Sequence, residues 1–227
     1  VNLKIPRGSV TAIMGYTGIG KTTFVNLIPR LYDATDGELL IDNKNVKNIP
    51  LDVLRREIGF VQQESFMFSD SVVNNISYGL RDIHKERVAE VSRIAHFDKD
   101  VEEFPLKYET MVGERGITLS GGQKQRASLA RALAIDPKIL ILDDSFSAVD
   151  THTEEEILNS LKDFMKDRTS IIISHRISTV KDADKIIVLS DGKITEEGTH
   201  EELVMLGGIY ADIHFKQLLE KELEELS

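Results

Sequence analysis

The stretch at residues 15–22 reads GYTGIGKT and fits the pattern of a glycine, four residues, a glycine, a lysine and a threonine. A short apolar, β-branched segment precedes it at residues 9–14 (SVTAIM), as expected of a buried strand. Apolar residues at helical spacing follow at residues 22–31, where Pro29 is expected to bend or shorten the helix. The glycines therefore lie between a strand and a helix.

This glycine-rich turn predicts a cradle for the phosphates of a nucleoside triphosphate. Glycines let the backbone adopt conformations that other residues avoid, so its N–H groups can approach phosphate oxygens closely. The following helix N-terminus favours anions, the lysine reaches the outer phosphates, and the Thr22 hydroxyl is placed to ligate Mg²⁺. We expect the nucleotide to contact Gly15, Tyr16, Thr17, Gly18, Ile19, Gly20, Lys21, Thr22 and Thr23.

The composition is that of a soluble globular protein, with 41% hydrophobic and 29% charged residues in 227. No run of about 18 apolar residues is present, so no segment is expected to span a bilayer. The absence of cysteine excludes disulfides and thiolate metal sites. A net charge of -10 argues against nucleic acid as the main partner, because such binding depends on lysine and arginine.

Apolar strands alternate with helical segments along the chain, which predicts an α/β fold with a parallel sheet covered on both faces. A polar strand pair is expected at residues 38–49, around a turn at Asn43 and Lys44. Strands are predicted at residues 58–61, 139–142, 170–174 and 185–189, and helices at residues 51–57, 72–80, 85–95, 122–134 and 153–165. The strand-poor part at residues 69–136 is interpreted as a helical subdomain.

Several predicted strands end in a polar group. Gln62 and Gln63 follow one strand, Asp143 and Asp144 another, and His175 a third. Ligands of open parallel sheets lie outside the carboxyl ends of the strands, so these groups and the glycine-rich turn should converge on one γ-phosphate. Asp143 is expected to hold Mg²⁺ opposite the threonine of the turn. The alternatives are a solvated acidic turn and a structural histidine.

Residues 119–123 read LSGGQ and are followed by KQRASLARAL and the strand ILILDD. With these motifs the chain resembles, over essentially its whole length, the nucleotide-binding domain of ATP-binding cassette (ABC) transporters. Ser120 and Gln123 also form a capping-box pattern, so this motif should open a helix whose N–H groups form a second anion site.

The resemblance implies one domain over residues 1–227. Its fold would be a P-loop NTPase (RecA-like) parallel-sheet core at residues 1–68 and 137–212, with an antiparallel β part. A helical subdomain of the ABC type at residues 69–136 and a C-terminal helix at residues 213–227 would complete it.

The resemblance also implies that two such domains stack head to tail, with each ATP held between the P-loop of one and the LSGGQ motif of the other. The motif of this chain, Ser120, Gly121, Gly122 and Gln123, would therefore serve the partner's nucleotide. Gln63 would touch Mg²⁺ and couple to a membrane domain, and His175 would act at the γ-phosphate. The segment SAVD, which ends at Asp150, would cross the dimer interface.

Two segments resemble those of exporters: VGERG at residues 112–116 and GKITEEGTHEEL at residues 192–203. In exporters the glutamate of the first segment, here Glu114, lies near the cytoplasmic helices of the membrane domain. We therefore expect export rather than import, with this domain at the cytoplasmic face of a membrane.

One position departs from the family pattern, because Asp144 stands where a glutamate usually acts as general base on the attacking water. The side chain is one methylene shorter, and a misplacement of about 1 Å can cost about a hundredfold in rate. We expect slow hydrolysis and favour a heterodimer whose partner builds the competent site. A homodimer in which Asp144 works through a shifted water is the alternative.

The two ends of the chain also carry expectations. The family's adenine-stacking aromatic residue would lie upstream of Val1. Either the N-terminal strand is truncated, as we expect, or the base is held otherwise, and Tyr16 is not expected to replace the missing residue. Residues 213–227 should form an amphipathic helix. Packing on its own domain is favoured over a coiled coil with a partner, because the helix is too short for sustained heptads.

Two rivals to an exporter ATPase are considered. One is an ATP-operated binding switch with most hydrolysis at the partner's site. The other is a non-transport ABC ATPase, which the exporter-like VGERG segment and the lack of coiled-coil insertions oppose.

Overall fold

The computed structural model describes residues 1–113 and 116–225, with the side chains of residues 224 and 225 excepted. Its strands are β1 (Val10–Met14), β2 (Leu40–Ile41), β3 (Lys44–Asn45), β4 (Ile58–Val61), β5 (Ile139–Asp143), β6 (Thr169–Ile173), β7 (Lys185–Ser190) and β8 (Lys193–Gly198). Its α-helices are α1 (Lys21–Asn26), α2 (Leu51–Arg56), α3 (Val72–Ile76), α4 (Lys85–Ile94), α5 (Asp98–Glu103), α6 (Gly121–Ala134), α7 (Thr151–Met165), α8 (Ile177–Val180), α9 (His200–Leu206) and α10 (Ile209–Glu225).

The main sheet has six strands in the order β4-β5-β6-β1-β7-β8. The first five are parallel, and β8 runs antiparallel to β7 at the edge. β2 and β3 form a separate antiparallel pair. The predicted α/β fold with a parallel core, an antiparallel part and a helical segment is therefore confirmed.

Both faces of the sheet are buried because each central strand carries apolar side chains on both sides. In β5, Leu140 and Leu142 pack with α3, α4, α6 and α7, whereas Ile141 packs on the opposite face with Val25 and Leu54. The first of these clusters joins the helices of residues 69–136 to the sheet in one continuous core. The loops at the strand ends are thereby carried on a rigid support.

The predicted helices and strands mostly match the observed ones, with local differences. The helix expected at residues 72–80 ends at Ile76. The turn between β2 and β3 lies at Asp42 and Asn43, one residue earlier than expected, and both have positive φ (49° and 62°), as two-residue hairpins require. The first helix ends at Asn26, three residues before Pro29, as expected. Strand β8 was missed.

The C-terminal helix begins at Ile209, not at residue 213, and only its first half packs on the domain. Tyr210 and Ala211 are buried, whereas Leu218, Leu219 and Leu223 are exposed. The expectation that the whole helix packs on its own domain is therefore wrong for its second half.

Glu114, expected near a membrane domain, lies outside the described residues. Within the ranges that the structure describes, no helix combines the length and the apolar character needed to cross a bilayer.

Candidate functional site

The glycine-rich turn connects β1 to α1 with three left-handed glycines. Gly15, Gly18 and Gly20 have φ of 144°, 84° and 93°, a region that other residues rarely adopt. At Gly15 a Cβ would also lie 2.4 Å from the Leu189 carbonyl oxygen. No side chain caps the N-terminus of α1, so its first backbone N–H groups are available to donate hydrogen bonds to an anion.

Lys21 begins α1 and folds back over the turn. Its Nζ donates to the carbonyl oxygens of Gly15 at 2.8 Å and Tyr16 at 3.1 Å. Burial lowers the pKa of Lys21, although the carboxylates of Asp144 and Asp143 act in the opposite direction. The ammonium group is thus held at the mouth of the turn, where phosphate oxygens can replace the carbonyls as acceptors.

Asp143, the last residue of β5, faces the start of α1. Its Oδ1 accepts a hydrogen bond from the Thr22 hydroxyl at 3.2 Å, and its buried Oδ2 has no partner among the described residues. Chiefly because of burial, the pKa of Asp143 is raised, with the neighbouring Asp144 adding to the shift. A buried carboxylate oxygen without a partner has the chemistry to ligate a hard cation.

The Thr22 hydroxyl and the Asp143 carboxylate suit Mg²⁺ better than they suit a metal ion whose ligands all come from protein. Across the described ranges, no cluster of three or more His, Cys, Asp or Glu side chains could hold an ion. Mg²⁺ commonly takes one or two protein oxygens and completes its shell with waters and substrate phosphates. Thr22 and Asp143 are such a pair.

The polar strand ends are brought together by the strand order. β4, β5, β6 and β1 are consecutive neighbours and parallel, so Gln63, Asp143, Asp144, His175 and the glycine-rich turn follow the same edge of the sheet. Gln63 itself is exposed and makes no hydrogen bond with the part of the chain that is described.

His175 and Asp144 are in direct contact. The imidazole Nδ1 lies 3.2 Å from Asp144 Oδ1, and the hydrogen bond with this carboxylate is the main cause that raises the pKa of His175. Asp144 has a left-handed backbone, with φ of 43°, a region that non-glycine residues seldom adopt. The imidazole is 58% exposed, and the Asp144 side chain only 17%. The pair therefore meets at the surface, with the carboxylate on the inner side.

The LSGGQ motif opens α6 with a full capping box. Ser120 Oγ accepts from the Gln123 N–H at 3.2 Å, and the Ser120 N–H donates to Gln123 Oε1 at 2.9 Å. At Gly122 a Cβ would lie 2.9 Å from the Ala148 carbonyl oxygen, so α6 packs tightly on the segment before α7. No hydrogen bond in the described residues joins 119–123 to 15–23.

Asp150 acts as the N-cap of α7, where its Oδ1 accepts from the Thr153 N–H at 2.9 Å. It is exposed, and it lies in the loop that Gln125 holds through Ser147 and Ala148. The expected interface residue thus also has a local structural role.

Sequence reasoning missed two residues beside His175. Arg176 pairs with Glu154 of α7, whose side chain is 2% exposed, and Gln217 of α10 hydrogen-bonds the backbone of the same loop. Arg176 could have been found as the neighbour of a candidate histidine. Nothing in the sequence pattern marks Gln217.

A cavity of about 280 Å³ adjoins the turn and is mostly apolar. Its lining is Val1, Ile19, Gly20, Thr23, Phe24, Leu27, Leu189 and Gly192. Tyr16 is exposed and is not part of this lining.

Comparisons with known proteins show the family of the chain. Residues 1–147 match the family model described as ABC transporter. The chain is 44% identical over 225 residues to an ATP-dependent lipid A-core flippase of Syntrophus aciditrophicus (strain SB), which covers 99% of this chain and 37% of the flippase. It is 46% identical over 219 residues to a putative multidrug export ATP-binding/permease protein of Staphylococcus aureus (strain bovine RF122 / ET3-1), covering 96% of this chain and 38% of the relative.

A solved structure of a bacterial Atm1-family ABC exporter with ATP bound superimposes with a TM-score of 0.90 at 39% identity, over 94% of this chain and 38% of that chain. The sequence thus spans little more than a third of the length of the proteins it matches, with 37% of one relative and 38% of two others covered.

Proposed function

The chain belongs to the ABC transporter family, and from this premise we propose that it is the ATP-binding and ATP-hydrolysing domain of an exporter. It would bind MgATP, dimerise around it and drive a separate transmembrane part. The single observation that carries the proposal is the pairing of Thr22 with Asp143 beside Lys21, where Asp143 keeps one buried oxygen without a partner.

Each residue of this pairing has a role that its contacts support. Lys21 would exchange its two carbonyl acceptors for phosphate oxygens, while Thr22 and Asp143 would hold Mg²⁺. Bound Mg²⁺ would neutralise charge on the outer phosphates. Gln63, exposed and without a hydrogen-bond partner in the described residues, is free to reach a ligand at the same edge.

Asp144 and His175 would act on the attacking water and the γ-phosphate. Asp144 accepts a hydrogen bond from His175 in its present position, which leaves its other oxygen to orient a water. We propose that this shorter carboxylate stands back from the water and makes the chain's own site slow. Comparable chemistry through a shifted water, in a homodimer, is the competing proposal.

The LSGGQ motif would complete a partner's site. It forms no hydrogen bond to its own P-loop within the described residues, and its capped helix start leaves backbone N–H groups for an anion. We favour a heterodimer whose partner supplies the catalytic glutamate. Gln63 and Glu114 would contact the membrane part, with the domain at its cytoplasmic face.

A second candidate is an ATP-operated switch that closes on ATP while the partner's site does most of the hydrolysis. Asp144 favours it, because a slow site can hold ATP through many turnovers of its neighbour.

ATP binding is tested by calorimetry with and without EDTA. The expected result is Mg²⁺-dependent binding that Lys21→Ala abolishes, whereas Lys4→Ala, which removes an exposed lysine, leaves it unchanged. Equal binding by the wild-type chain and the Lys21→Ala variant would contradict the proposed site.

The division of labour between two chains is tested by mixing. The wild-type chain has an intact LSGGQ motif but a short carboxylate at position 144. The Asp144→Glu/Ser120→Arg double variant has the longer carboxylate but a disrupted LSGGQ motif. We expect each alone to hydrolyse ATP slowly and the mixture to be faster than the sum. Adding Lys21→Ala to the double variant should abolish the gain. A mixture no faster than its parts would argue against a site shared between chains.

A further inference from the structure

The loop that carries His175 is held from two sides, and one of them is the C-terminal helix. On the inner side, Arg176 forms an ion pair with Glu154 and donates to the Val149 carbonyl oxygen at 3.4 Å. Thr179 donates a further hydrogen bond to the same glutamate. These contacts fix the side chain that follows the histidine, not the histidine's own backbone.

The backbone of the loop is held locally by Ser174, whose Oγ accepts from the Arg176 N–H at 3.0 Å, and from outside the loop by Gln217 of α10. The side-chain Nε2 donates to the His175 carbonyl oxygen at 2.6 Å, and Oε1 accepts from the Ile177 N–H at 2.9 Å. One amide therefore pairs with the carbonyl before Arg176 and the N–H after it. The opposite orientation of the amide would set its NH₂ against a backbone N–H, so only this one satisfies both groups.

The Gln217 amide with its two backbone hydrogen bonds, here called the clamp, also completes the start of α8. α8 begins directly after Arg176, which makes no side-chain cap hydrogen bond, so the first N–H of α8 depends on Gln217 for its partner. Ile177 is 5% exposed, and an unpaired N–H in that position is unfavourable.

The clamp is held in place by the anchored start of α10. Tyr210 is fully buried, its hydroxyl pairs with His200 Nδ1 at 2.7 Å, and its N–H donates to Glu196 at 3.0 Å. Gln217 lies two helical turns further on and therefore on the same face of the helix. The position of the amide is thus set by the body of the domain.

We propose that Gln217 is a positioning residue for ATP hydrolysis, which holds the backbone on both sides of Arg176 so that the imidazole of His175 stays at Asp144. This inference rests on the proposed function, because it assigns to α10 a part in the same site. Gln217 touches no reacting group. It acts through His175, whose imidazole is otherwise mostly exposed and has no other hydrogen-bond partner among the described residues.

The test compares Gln217→Met, which keeps length and removes the amide, with Lys216→Met, an exposed neighbour on the same helix. Steady-state hydrolysis, melting temperature and hydrogen exchange of the Ile177 amide are measured on each. Gln217→Asn is a second variant that stays polar but is too short to reach both backbone groups.

We expect Gln217→Met and Gln217→Asn to lower kcat about tenfold, within the hundredfold that a 1 Å misplacement can cause. KM for ATP should stay close to wild type, because the P-loop is built by other elements. The Ile177 amide should exchange faster, and the melting temperature should fall by only a few degrees, because one buried N–H loses its partner. Lys216→Met should change none of these.

Two results would overturn the inference. Faster exchange at Ile177 with unchanged kcat would show that the clamp does not affect hydrolysis, and the proposed function would stand. A loss of ATP affinity in parallel with the fall of kcat would show a general structural role. A wild-type chain without any hydrolysis would instead contradict the proposed function, and this inference with it.

Discussion

Asp143→Asn is expected to stabilise the nucleotide-free chain while removing its response to MgATP. The Asp143 side chain is buried, with one oxygen paired to Thr22 at 3.2 Å and the other without a partner. An unsatisfied buried polar group costs about 1–3 kcal/mol, and more if it is charged. Asparagine keeps the acceptor for Thr22 and loses the charge, so we expect a gain of about 1–2 kcal/mol. For a chain of this size that is about 3–6 °C in melting temperature.

The gain should depend on pH with a definite sign. Burial raises the pKa of Asp143, so the folded chain binds this proton more tightly than the unfolded chain. Ionised Asp143 therefore destabilises the wild-type chain fully above the raised pKa, and this destabilisation is relieved as the pH falls through that pKa. The difference in melting temperature between variant and wild type should be largest at neutral pH and shrink on acidification.

Scanning fluorimetry with MgATP, with ATP and EDTA, and without ligand measures both effects. Saturating MgATP at about a hundred times its Kd should stabilise the wild-type chain by about 2.7 kcal/mol, and the variant hardly at all. Asp82→Asn, at an exposed aspartate, is the control and should change neither. A variant that melts below wild type, or that keeps the full response to MgATP, would refute this reasoning.

Two further predictions concern the turn and the loop after β6. Gly15→Ala should abolish ATP binding in calorimetry, because a Cβ would lie 2.4 Å from the Leu189 carbonyl oxygen, whereas Gly18→Ala, with no atom within 4 Å, should weaken binding less; equal effects would contradict this. Glu154→Ala should lower the free energy of unfolding in urea by about 2–3 kcal/mol, since it leaves the partly buried Arg176 without its carboxylate. An unchanged urea midpoint would count against that ion pair.

Much of the sheet could be predicted because its central strands are short apolar runs bounded by glycine, proline or polar residues. Those same boundaries put polar side chains at the strand ends, and parallel pairing of β4, β5, β6 and β1 then requires one common edge. The residues that form the site could therefore be predicted from the sequence, whereas the roles assigned to these residues remain predictions.

The rest depends on tertiary contacts that leave no local pattern. β8 reads KITEEG, which is polar because it is an antiparallel edge strand, so its sequence lacked the apolar signal used for the other strands. The direct contact of His175 with Asp144 joins residues 31 positions apart, and no local pattern in the sequence indicates it. The contact of Gln217 with residues 175 and 177 joins segments far apart in the chain.

The C-terminal helix shows a further limit. Its leucines at 218, 219 and 223 were expected to pack on the domain, yet they are exposed. Helical spacing of apolar residues predicts that a helix has an apolar face, but not which surface packs against that face.

The central claim is that this chain binds MgATP at a site whose hydrolysis is limited by Asp144. It is tested most directly by steady-state ATP hydrolysis of the wild-type chain and its Asp144→Glu variant at high protein concentration, with ATP binding verified in both. We predict equal binding and a gain of about tenfold to a hundredfold in the variant, because the longer side chain moves the carboxylate forward by about 1 Å. Comparable, robust turnover in both chains would contradict it and favour a homodimer in which Asp144 is a competent base.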